Sequence, residues 1–165
     1  MIREFLPTDS PLLRLRASSV EIFSTQALNV LVADMFETMR AGRGVGLAAP
    51  QIGVSQRIIV FEFYENDRLP GEPSIPPTAL INPIITSAKG AADGKEGCFS
   101  VPEMIGVITR YEEISYIAQD IEGRRVEGAA KGFHARIIQH EVDHLDGILY
   151  IDKAKEVEPY KRELG

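Results

Sequence analysis

Residues 132–147 have the sequence GFHARIIQHEVDHLDG, which indicates a helix that ends near Gly147. One face of this helix carries Phe133, Ile137, His140 and His144. The opposite face carries Ile138, Val142 and Leu145, and a narrow polar strip carries Gln139, Asp143 and Asp146. A helix that is apolar on two sides is buried on two sides. We therefore expect a central C-terminal helix with strands packed around it.

The remaining pattern predicts an N-terminal helix and several short strands. Apolar residues recur at helical spacing over residues 25–40, with Ser24 or Thr25 as the cap and Gly42 after the end. Strands are predicted over residues 57–63, 79–85, 97–101, 105–109, 113–119 and 124–129. The prolines at 70, 73, 76 and 77 indicate that residues 64–78 form an irregular surface loop that edges a cleft. Short strands without intervening helices pair mostly antiparallel, which predicts a single α+β domain over residues 1–165.

Composition excludes several classes of protein. The chain has 165 residues, of which 44% are apolar and 25% are charged, as in ordinary globular domains. A net charge of -6 argues against DNA as a partner, because nucleic-acid binding requires an excess of Lys and Arg on one face. The N-terminus lacks a secretory signal, and no apolar run is long enough to span a membrane. We therefore expect a cytoplasmic protein with no membrane partner.

His140, Glu141 and His144 form the motif HEVDH. On a helix, the i, i+4 spacing brings both imidazoles to one face, where they can bind one metal ion. Glu141 then reaches the water at the metal rather than the metal itself. The alternative is a pair of core histidines beside a surface glutamate, but the otherwise apolar ligand face favours a metal site.

Two histidines require a third metal ligand. One class of zinc peptidases continues the motif as HExxHxxGxxH, but this chain has HEVDHLDGILY, with Tyr150 in place of the third histidine. A downstream glutamate is the second option, although Pro159 interrupts that short segment and makes Glu163 a poor candidate. Cys98 is the remaining soft donor, and it would leave one coordination position open, as catalytic sites require. Taken alone, Cys98 would more often be an inert buried thiol.

Three segments together resemble the peptide deformylase family. Its members carry GxGLAAxQ, EGCxS and HExDH in this order. The corresponding segments here are GVGLAAPQ at residues 44–51, EGCFS at 96–100 and HEVDH at 140–144. The similarity covers essentially the whole chain, and the joint occurrence of the three motifs is much more specific than any one of them.

The resemblance implies a role for each motif residue. The metal ligands are Cys98, His140 and His144, the general acid/base is Glu141, and the oxyanion donors are the Gln51 amide and the Phe99 backbone N–H. Gly46 offers backbone contact to the bound peptide. The resemblance points to Fe2+ as the native ion, although the ligands alone fit Zn2+ at least as well, and Ni2+ or Co2+ are substitutes. The resemblance also suggests that Arg110 pairs with Glu96. The alternative is that Arg110 is a plain surface residue.

Some features depart from the family pattern or lie outside it. Phe99 stands where members often have leucine, which adds bulk at the mouth of the site but keeps the backbone donor. Some members dock on the ribosome through a long C-terminal helix, whereas residues after Asp152 are balanced in charge, contain Pro159 and indicate a solvated tail. Docking by that route is therefore in doubt. His134 points away from the ligand face and is interpreted as a structural or surface histidine.

The ligand face also predicts a substrate pocket. Phe133 and Ile137 lie one to two helical turns before the first histidine, and Val45 could face them across the cleft. Such a pocket suits the flexible thioether of methionine, although core filling is the alternative for both helix residues. Arg136 lies toward the same side and is expected at the rim of the substrate cleft.

The reaction that the resemblance implies is the removal of formate from the N-formyl-methionine of newly made polypeptides. Water activated by the metal attacks the formyl carbon after Glu141 has taken its proton, and Glu141 then protonates the leaving amine. The rival interpretations are a zinc peptidase that cleaves peptide bonds and a non-catalytic metal sensor. The presence of Gln51 and Glu141 counts against the sensor.

Overall fold

In the computed structural model, residues 1–160 are described, and they contain the two predicted helices together with antiparallel strands. The α-helices are α1 (Gln26–Ala41) and α2 (Gly132–Leu145). The strands are β1 (Gly46–Ala48), β2 (Ile58–Phe63), β3 (Ile75–Lys89), β4 (Ala92–Cys98), β5 (Val101–Arg110), β6 (Glu113–Gln119), β7 (Arg125–Lys131) and β8 (Glu156–Pro159). Short 3-10 helices lie at Pro11–Arg14, Ala49–Ile52 and Tyr150–Asp152.

The strands form a larger and a smaller sheet. The larger sheet has the order β1-β2-β3-β6-β7, and the smaller sheet has the order β4-β5-β8. Every ladder between these strands is antiparallel, and a parallel bridge joins Ser18 to Gln56 outside them. The predicted α+β class is confirmed. Within residues 1–160, no helix is both long and apolar enough to cross a membrane.

The larger sheet lies between the two α-helices. Alternate residues of β2 point to opposite faces, so that Phe61 packs in one core with Ile138 of α2, whereas Val60 packs in another core with Met35 of α1. This arrangement explains why every residue of β2 is buried although its ladders are antiparallel. It also places α2 in the interior, as its two apolar faces predicted.

The ends of both helices agree with the predicted signals. The Thr25 side chain accepts a hydrogen bond from the Leu28 N–H at 3.1 Å, which satisfies one free donor at the start of α1. Helix α2 starts at Gly132 (φ 60°), and Gly147 after its end has φ 75°. Both glycines therefore adopt the left-handed backbone conformation that other residues avoid.

The predicted strand over residues 97–101 is wrong. Strand β4 ends at Cys98 and β5 begins at Val101, so Phe99 and Ser100 form the tip of a hairpin. The tip has none of the Gly, Asn or Pro residues that mark most two-residue turns, and its sequence therefore resembled a continuous strand. Because β4 ends there, the Cys98 side chain lies at an end of the smaller sheet.

The proline-rich loop is shorter than predicted. Residues 64–74 lie outside the strands, but β3 begins at Ile75 and includes Pro76 and Pro77. The pairing of β2 with β3 shifts between Phe61 and Phe63, and the two prolines lie in this irregular region. At such a bulge the missing N–H groups of proline interrupt no regular ladder.

Two residues of the polar strip of α2, Gln139 and Asp143, are packed, whereas Asp146 is exposed. The side-chain amide of Gln139 accepts from the Tyr111 N–H and donates to the Tyr111 carbonyl, both at 2.9 Å, and Gln139 is buried. Asp143 accepts from Arg110 at 2.6 Å. These two residues therefore lie against the end of β5, and α2 is enclosed there too.

The segment after Asp152 is only partly the tail that was predicted. Its side chains over Glu156–Pro159 are exposed, but its backbone pairs with β5 as strand β8. The Tyr160 N–H continues this contact to the Glu103 carbonyl at 2.8 Å. Glu163, the downstream acidic residue considered as a third ligand, lies outside the described residues.

Candidate metal centre

The three predicted metal ligands converge in the structure. Helix α2 supplies His140 and His144, and the end of β4 supplies Cys98. Their ligand atoms lie within 4.8 Å of one another, and the Cys98 Sγ is 3.2 Å from the His144 Nε2. Tyr150 stacks near His140, with 6.0 Å between ring centroids, but does not belong to the cluster. The packing of β4 against α2 thus brings a thiol to two imidazoles that the helix already holds together.

Glu96 braces this cluster through its carboxylate. Its Oε1 lies 2.7 Å from the Nδ1 of His140, and Arg110 donates two hydrogen bonds to it, each of 2.9 Å. A hydrogen bond from Nδ1–H to a carboxylate orients the ring and leaves Nε2 as the metal-binding nitrogen. The predicted contact between Arg110 and Glu96 is present. The link from Glu96 to His140 had no signal in the sequence beyond the acidic residue of the cysteine motif.

Arg136 lines the cleft as expected, but its guanidinium points into the wall. It donates to Glu96 at 2.8 Å and to the carbonyls of Ala92 and Ile108 at 2.8 and 3.1 Å. A Cβ at Gly94 would lie 2.8 Å from the Cζ of Arg136, so the absence of a side chain there makes room for the guanidinium. These contacts tie α2 to β4 and β5.

The charges around the ligands favour the thiolate form of Cys98, which is the form that binds metal ions. Burial alone would raise the pKa of Glu96, but the hydrogen bonds from Arg110 and His140 lower it by more than burial raises it. The carboxyl is therefore ionised at neutral pH. Burial likewise raises the pKa of the Cys98 thiol, but the imidazoles of His144 and His140 bring it well below its usual value. Burial lowers the pKa of His140, whereas Cys98 and Glu96 raise it above the ordinary value. Cys98 is therefore held as a thiolate beside a protonated imidazole, and a divalent ion bound there would displace the imidazole proton and pair with the thiolate.

Glu141 lies beside the ligand cluster and outside it. Its Oε1 is 3.7 Å from the Nε2 of His140, and its Oε2 is buried without a hydrogen-bond partner among residues 1–160. Burial raises the pKa of Glu141 to about 7, so the carboxyl can hold or release a proton near neutral pH. A nearby divalent cation would favour the ionised form, which accepts a proton. The donor set and this unpartnered oxygen fit a metal ion with a water molecule.

Gln51 projects toward the metal ligands from the 3-10 helix Ala49–Ile52. Its Oε1 accepts from the Ala48 N–H at 2.9 Å, which fixes the amide orientation. Its Nε2 donates to the Ser100 Oγ at 3.0 Å and to the Cys98 Sγ at 3.4 Å. The Phe99 backbone N–H lies next to Cys98 at the hairpin tip. Ser100, which is fully buried, was not singled out in the sequence.

A cleft of about 880 Å3 opens above these groups. Its wall contains all the predicted substrate-binding residues, which are Val45, Gly46, Phe133, Arg136 and Ile137. A Cβ at Gly46 would lie 3.0 Å from Glu141 and 3.1 Å from Ile137, so glycine lets β1 approach α2 closely. Phe5 and Arg68 also line the cleft, although no motif marked them. Arg68 confirms that the proline-rich loop edges the cleft.

His134 lies away from the ligands, as predicted. Its ring is 5.5 Å from the ring of Phe61, and its Nε2 is buried without a hydrogen-bond partner in the described chain. Burial lowers the pKa of His134, which favours the neutral imidazole. The geometry is that of a structural histidine.

Comparison with known proteins places these observations in a family. The family model described as Polypeptide deformylase matches residues 2–160. Peptide deformylase 2 of Ralstonia nicotianae is 51% identical over 152 residues, which cover 91% of this chain and 85% of that protein. Peptide deformylase 2 of Bordetella bronchiseptica is 47% identical over 158 residues, which cover 95% of this chain and 90% of that protein.

Solved structures show the same fold. The Met-Ala-Ser-bound class I type b peptide deformylase of Acinetobacter baumannii superimposes with a TM-score of 0.89 at 35% identity, over 93% of this chain and 98% of that one. The peptide deformylase of Thermotoga maritima superimposes with a TM-score of 0.83 at 38% identity, over 94% and 99% of the two chains.

Proposed function

The chain belongs to the polypeptide deformylase family, hydrolases that remove the formyl group from the N-terminal methionine of new polypeptides, and we propose that its metal ligands are Cys98, His140 and His144. The observation that carries this proposal is the approach of the three ligand atoms to within 4.8 Å of one another, with the Glu141 carboxylate beside them. Residues 1–165 act together as one catalytic domain.

Glu141 moves the proton in the proposed mechanism. When bound, the metal ion acts as a Lewis acid and lowers the pKa of water toward about 7. Glu141 takes a proton from the attacking water, whose oxygen forms a bond to the formyl carbon. The Gln51 amide and the Phe99 N–H donate hydrogen bonds to the formyl oxygen as it gains negative charge. The C–N bond then breaks, Glu141 protonates the leaving amine, and formate is released.

The cleft wall supports methionine as the first residue of the substrate. Val45, Phe133 and Ile137 provide apolar surface next to the metal ligands, and Gly46 exposes the edge of β1 to a peptide backbone. The relative from Acinetobacter baumannii is described as bound to Met-Ala-Ser, a peptide that begins with methionine. Arg136 contributes to the wall, and its contact with Glu96 also stiffens the metal site.

We propose Fe2+ as the working ion, with Zn2+, Ni2+ or Co2+ as substitutes. One thiolate and two imidazoles suit iron and zinc alike, so purification without oxygen and metal analysis are the direct test. Iron with a thiolate ligand is sensitive to oxidation, and the iron form should lose activity in air faster than the nickel form. Equal lifetimes in air would contradict iron.

The proposed setting is the cytoplasm, with nascent formyl-methionyl peptides as substrate and without a DNA or membrane partner. The net charge of -6 supports this setting, because it disfavours the phosphate backbone of nucleic acids and the anionic surface of membranes. Residues Glu156–Pro159 pair with β5 as strand β8 and do not form a helix, so the proposal includes no ribosome docking through a helix at these residues.

Formate release from formyl-Met-Ala-Ser, measured with metal content, tests the roles together. Alanine at Cys98, His140 or His144 should empty the site, whereas Glu141→Ala should keep the metal and lower kcat by about 10²- to 10⁴-fold. Metal loss in the Glu141 variant equal to that in the histidine variants would contradict the assignment. Cleavage inside an acetylated peptide by the unmodified protein would instead indicate a peptidase.

A further inference from the structure

The N-terminal segment contacts both parts of the chain that carry the proposed oxyanion donors. The Phe5 ring stacks on the Phe99 ring, with centroids 4.4 Å apart and planes inclined by 12°. The Leu6 N–H donates to the Gln51 carbonyl at 2.9 Å. The Thr8 hydroxyl donates to the Ser100 carbonyl at 2.5 Å. We call residues 5–8 the N-terminal strap.

The two oxyanion donors belong to different sheets, and the strap adds to the direct hydrogen bonds that Gln51 donates to Ser100 and Cys98. Gln51 follows β1 of the larger sheet, and Phe99 lies at the tip between β4 and β5 of the smaller sheet. No ladder joins these sheets within residues 1–160, so side-chain and loop contacts set the distance between the donors. The strap bonds to both sides of this gap.

The Phe99 ring is confined on its other side by two glycines. A Cβ at Gly42 would lie 2.5 Å from the Phe99 ring, and a Cβ at Gly44 would lie 2.1 Å from it. The Phe99 ring thus occupies space that side chains at positions 42 and 44 would fill, and the Phe5 ring stacks on it. Since the ring cannot shift without disturbing one of these contacts, the backbone at Phe99 is held as well.

We propose that the N-terminal strap positions the oxyanion donors, with Phe5 and Thr8 as positioning residues. The proposal rests on the roles proposed above for Gln51 and Phe99. A donor that is preorganised where charge develops stabilises the transition state more than the bound substrate. Loosening the strap should therefore lower kcat while the metal content and KM stay nearly unchanged.

The test compares Thr8→Val, which removes the hydroxyl at nearly constant shape, with Thr8→Ser, which keeps it. Thr8→Val and Phe5→Leu should each lower kcat for formyl-Met-Ala-Ser by roughly 5- to 20-fold, and Thr8→Ser should stay within about twofold of the unmodified enzyme. Thr78→Val is the matched control, because its hydroxyl also donates to a backbone carbonyl, that of Pro76, outside the cleft. It should leave kcat unchanged.

Each variant is measured for metal content, thermal midpoint, kcat and KM. A merely structural role would shift the midpoint without lowering kcat per metal-loaded, folded molecule, and that result would overturn the proposal. Loss of kcat in Thr8→Ser equal to that in Thr8→Val would overturn it too. Gln51→Ala distinguishes failure of the strap proposal from failure of the proposed oxyanion role of Gln51. If it lowers kcat and the strap variants do not, the strap is refuted, whereas an active Gln51 variant refutes the proposed role of Gln51.

Discussion

Replacing Glu96 by glutamine should weaken metal binding although Glu96 is not a ligand. In the structure its carboxylate accepts from His140 and from the guanidinium groups of Arg110 and Arg136. Glutamine has the same shape, but its NH2 group is a donor and would face one of these donors. At least one hydrogen bond is then lost, and both arginines lose a buried counter-charge.

The expected magnitude has two parts. Loss of a carboxylate that orients a metal-binding histidine typically weakens metal affinity by about 10- to 100-fold, or about 1.4 to 2.7 kcal/mol. Breaking a buried ion pair costs about 3 to 5 kcal/mol of folding stability. Arg110 keeps Asp143 at 2.6 Å, so we expect the lower end, about 3 kcal/mol.

Asp143→Asn is the matched control, because Asp143 pairs with the same Arg110 but has no contact with the His140 ring. Metal affinity is measured by competition with a chelator, and the free energy of unfolding by urea titration of the metal-free proteins. Both variants should be less stable, but only Glu96→Gln should bind metal more weakly. Unchanged affinity in Glu96→Gln, or an equal loss in Asp143→Asn, would refute the brace.

Three further predictions follow from the packing. Gly44→Ala should lower kcat/KM by about tenfold, because the new Cβ would collide with the Phe99 ring. Phe99→Leu should restore part of that activity in the double variant. Losses of the two single variants that simply add in the double variant would contradict the contact. Ile137→Asp should raise KM for formyl-Met-Ala-Ser at least about tenfold at constant metal content, and an unchanged KM would exclude the pocket. The hydrogen bonds from Arg40 lower the pKa of Glu62 in the folded protein. The ionised carboxyl therefore stabilises the fold at pH values above its pKa in the unfolded chain, about 4.3, and this stabilisation is lost as the pH falls through its lower pKa in the folded protein. Glu62→Gln should therefore cost about 1 kcal/mol of unfolding free energy at pH 7 and less below about pH 4, whereas a constant difference in urea titrations would contradict the pairing.

The parts of the fold that could be predicted are those whose signal is local. Helix α2 has a strong period, two apolar faces and a glycine after its end, and each of these is a property of neighbouring residues. The hairpin tip between Cys98 and Val101 was missed because Phe99 and Ser100 include none of the Gly, Asn or Pro residues that mark most two-residue turns. The start of β3 was missed because Pro76 and Pro77 normally exclude a strand. They are tolerated here because the pairing with β2 shifts between Phe61 and Phe63, and such a bulge depends on tertiary structure that the local sequence does not show.

The same division holds for the candidate site. The motif spacing identified His140 and His144 as a pair, and chemistry together with the resemblance pointed to Cys98. The contacts of Glu96 with His140 and of Thr8 with Ser100 join residues that are 44 and 92 positions apart, so no local pattern reports them. Such partners become visible only when the packing of β4 against α2, and of the N-terminal strap against the hairpin tip, is known.

The metal ligands come from two separately packed parts of the fold, so a bound ion would also affect the stability of the protein. Cys98 belongs to the smaller sheet, whereas His140 and His144 belong to the helix that packs on the larger sheet. The contacts that join these two parts include the ion pairs of Glu96 with Arg136 and of Arg110 with Asp143. Removing one partner of a buried pair is costly, but an intact pair contributes little net stability once the desolvation of both charges is counted. A metal ion bound by all three ligands would cross-link the two parts directly, and its binding free energy would add to the folding free energy. The geometry that catalysis requires is therefore also the geometry that metal binding stabilises.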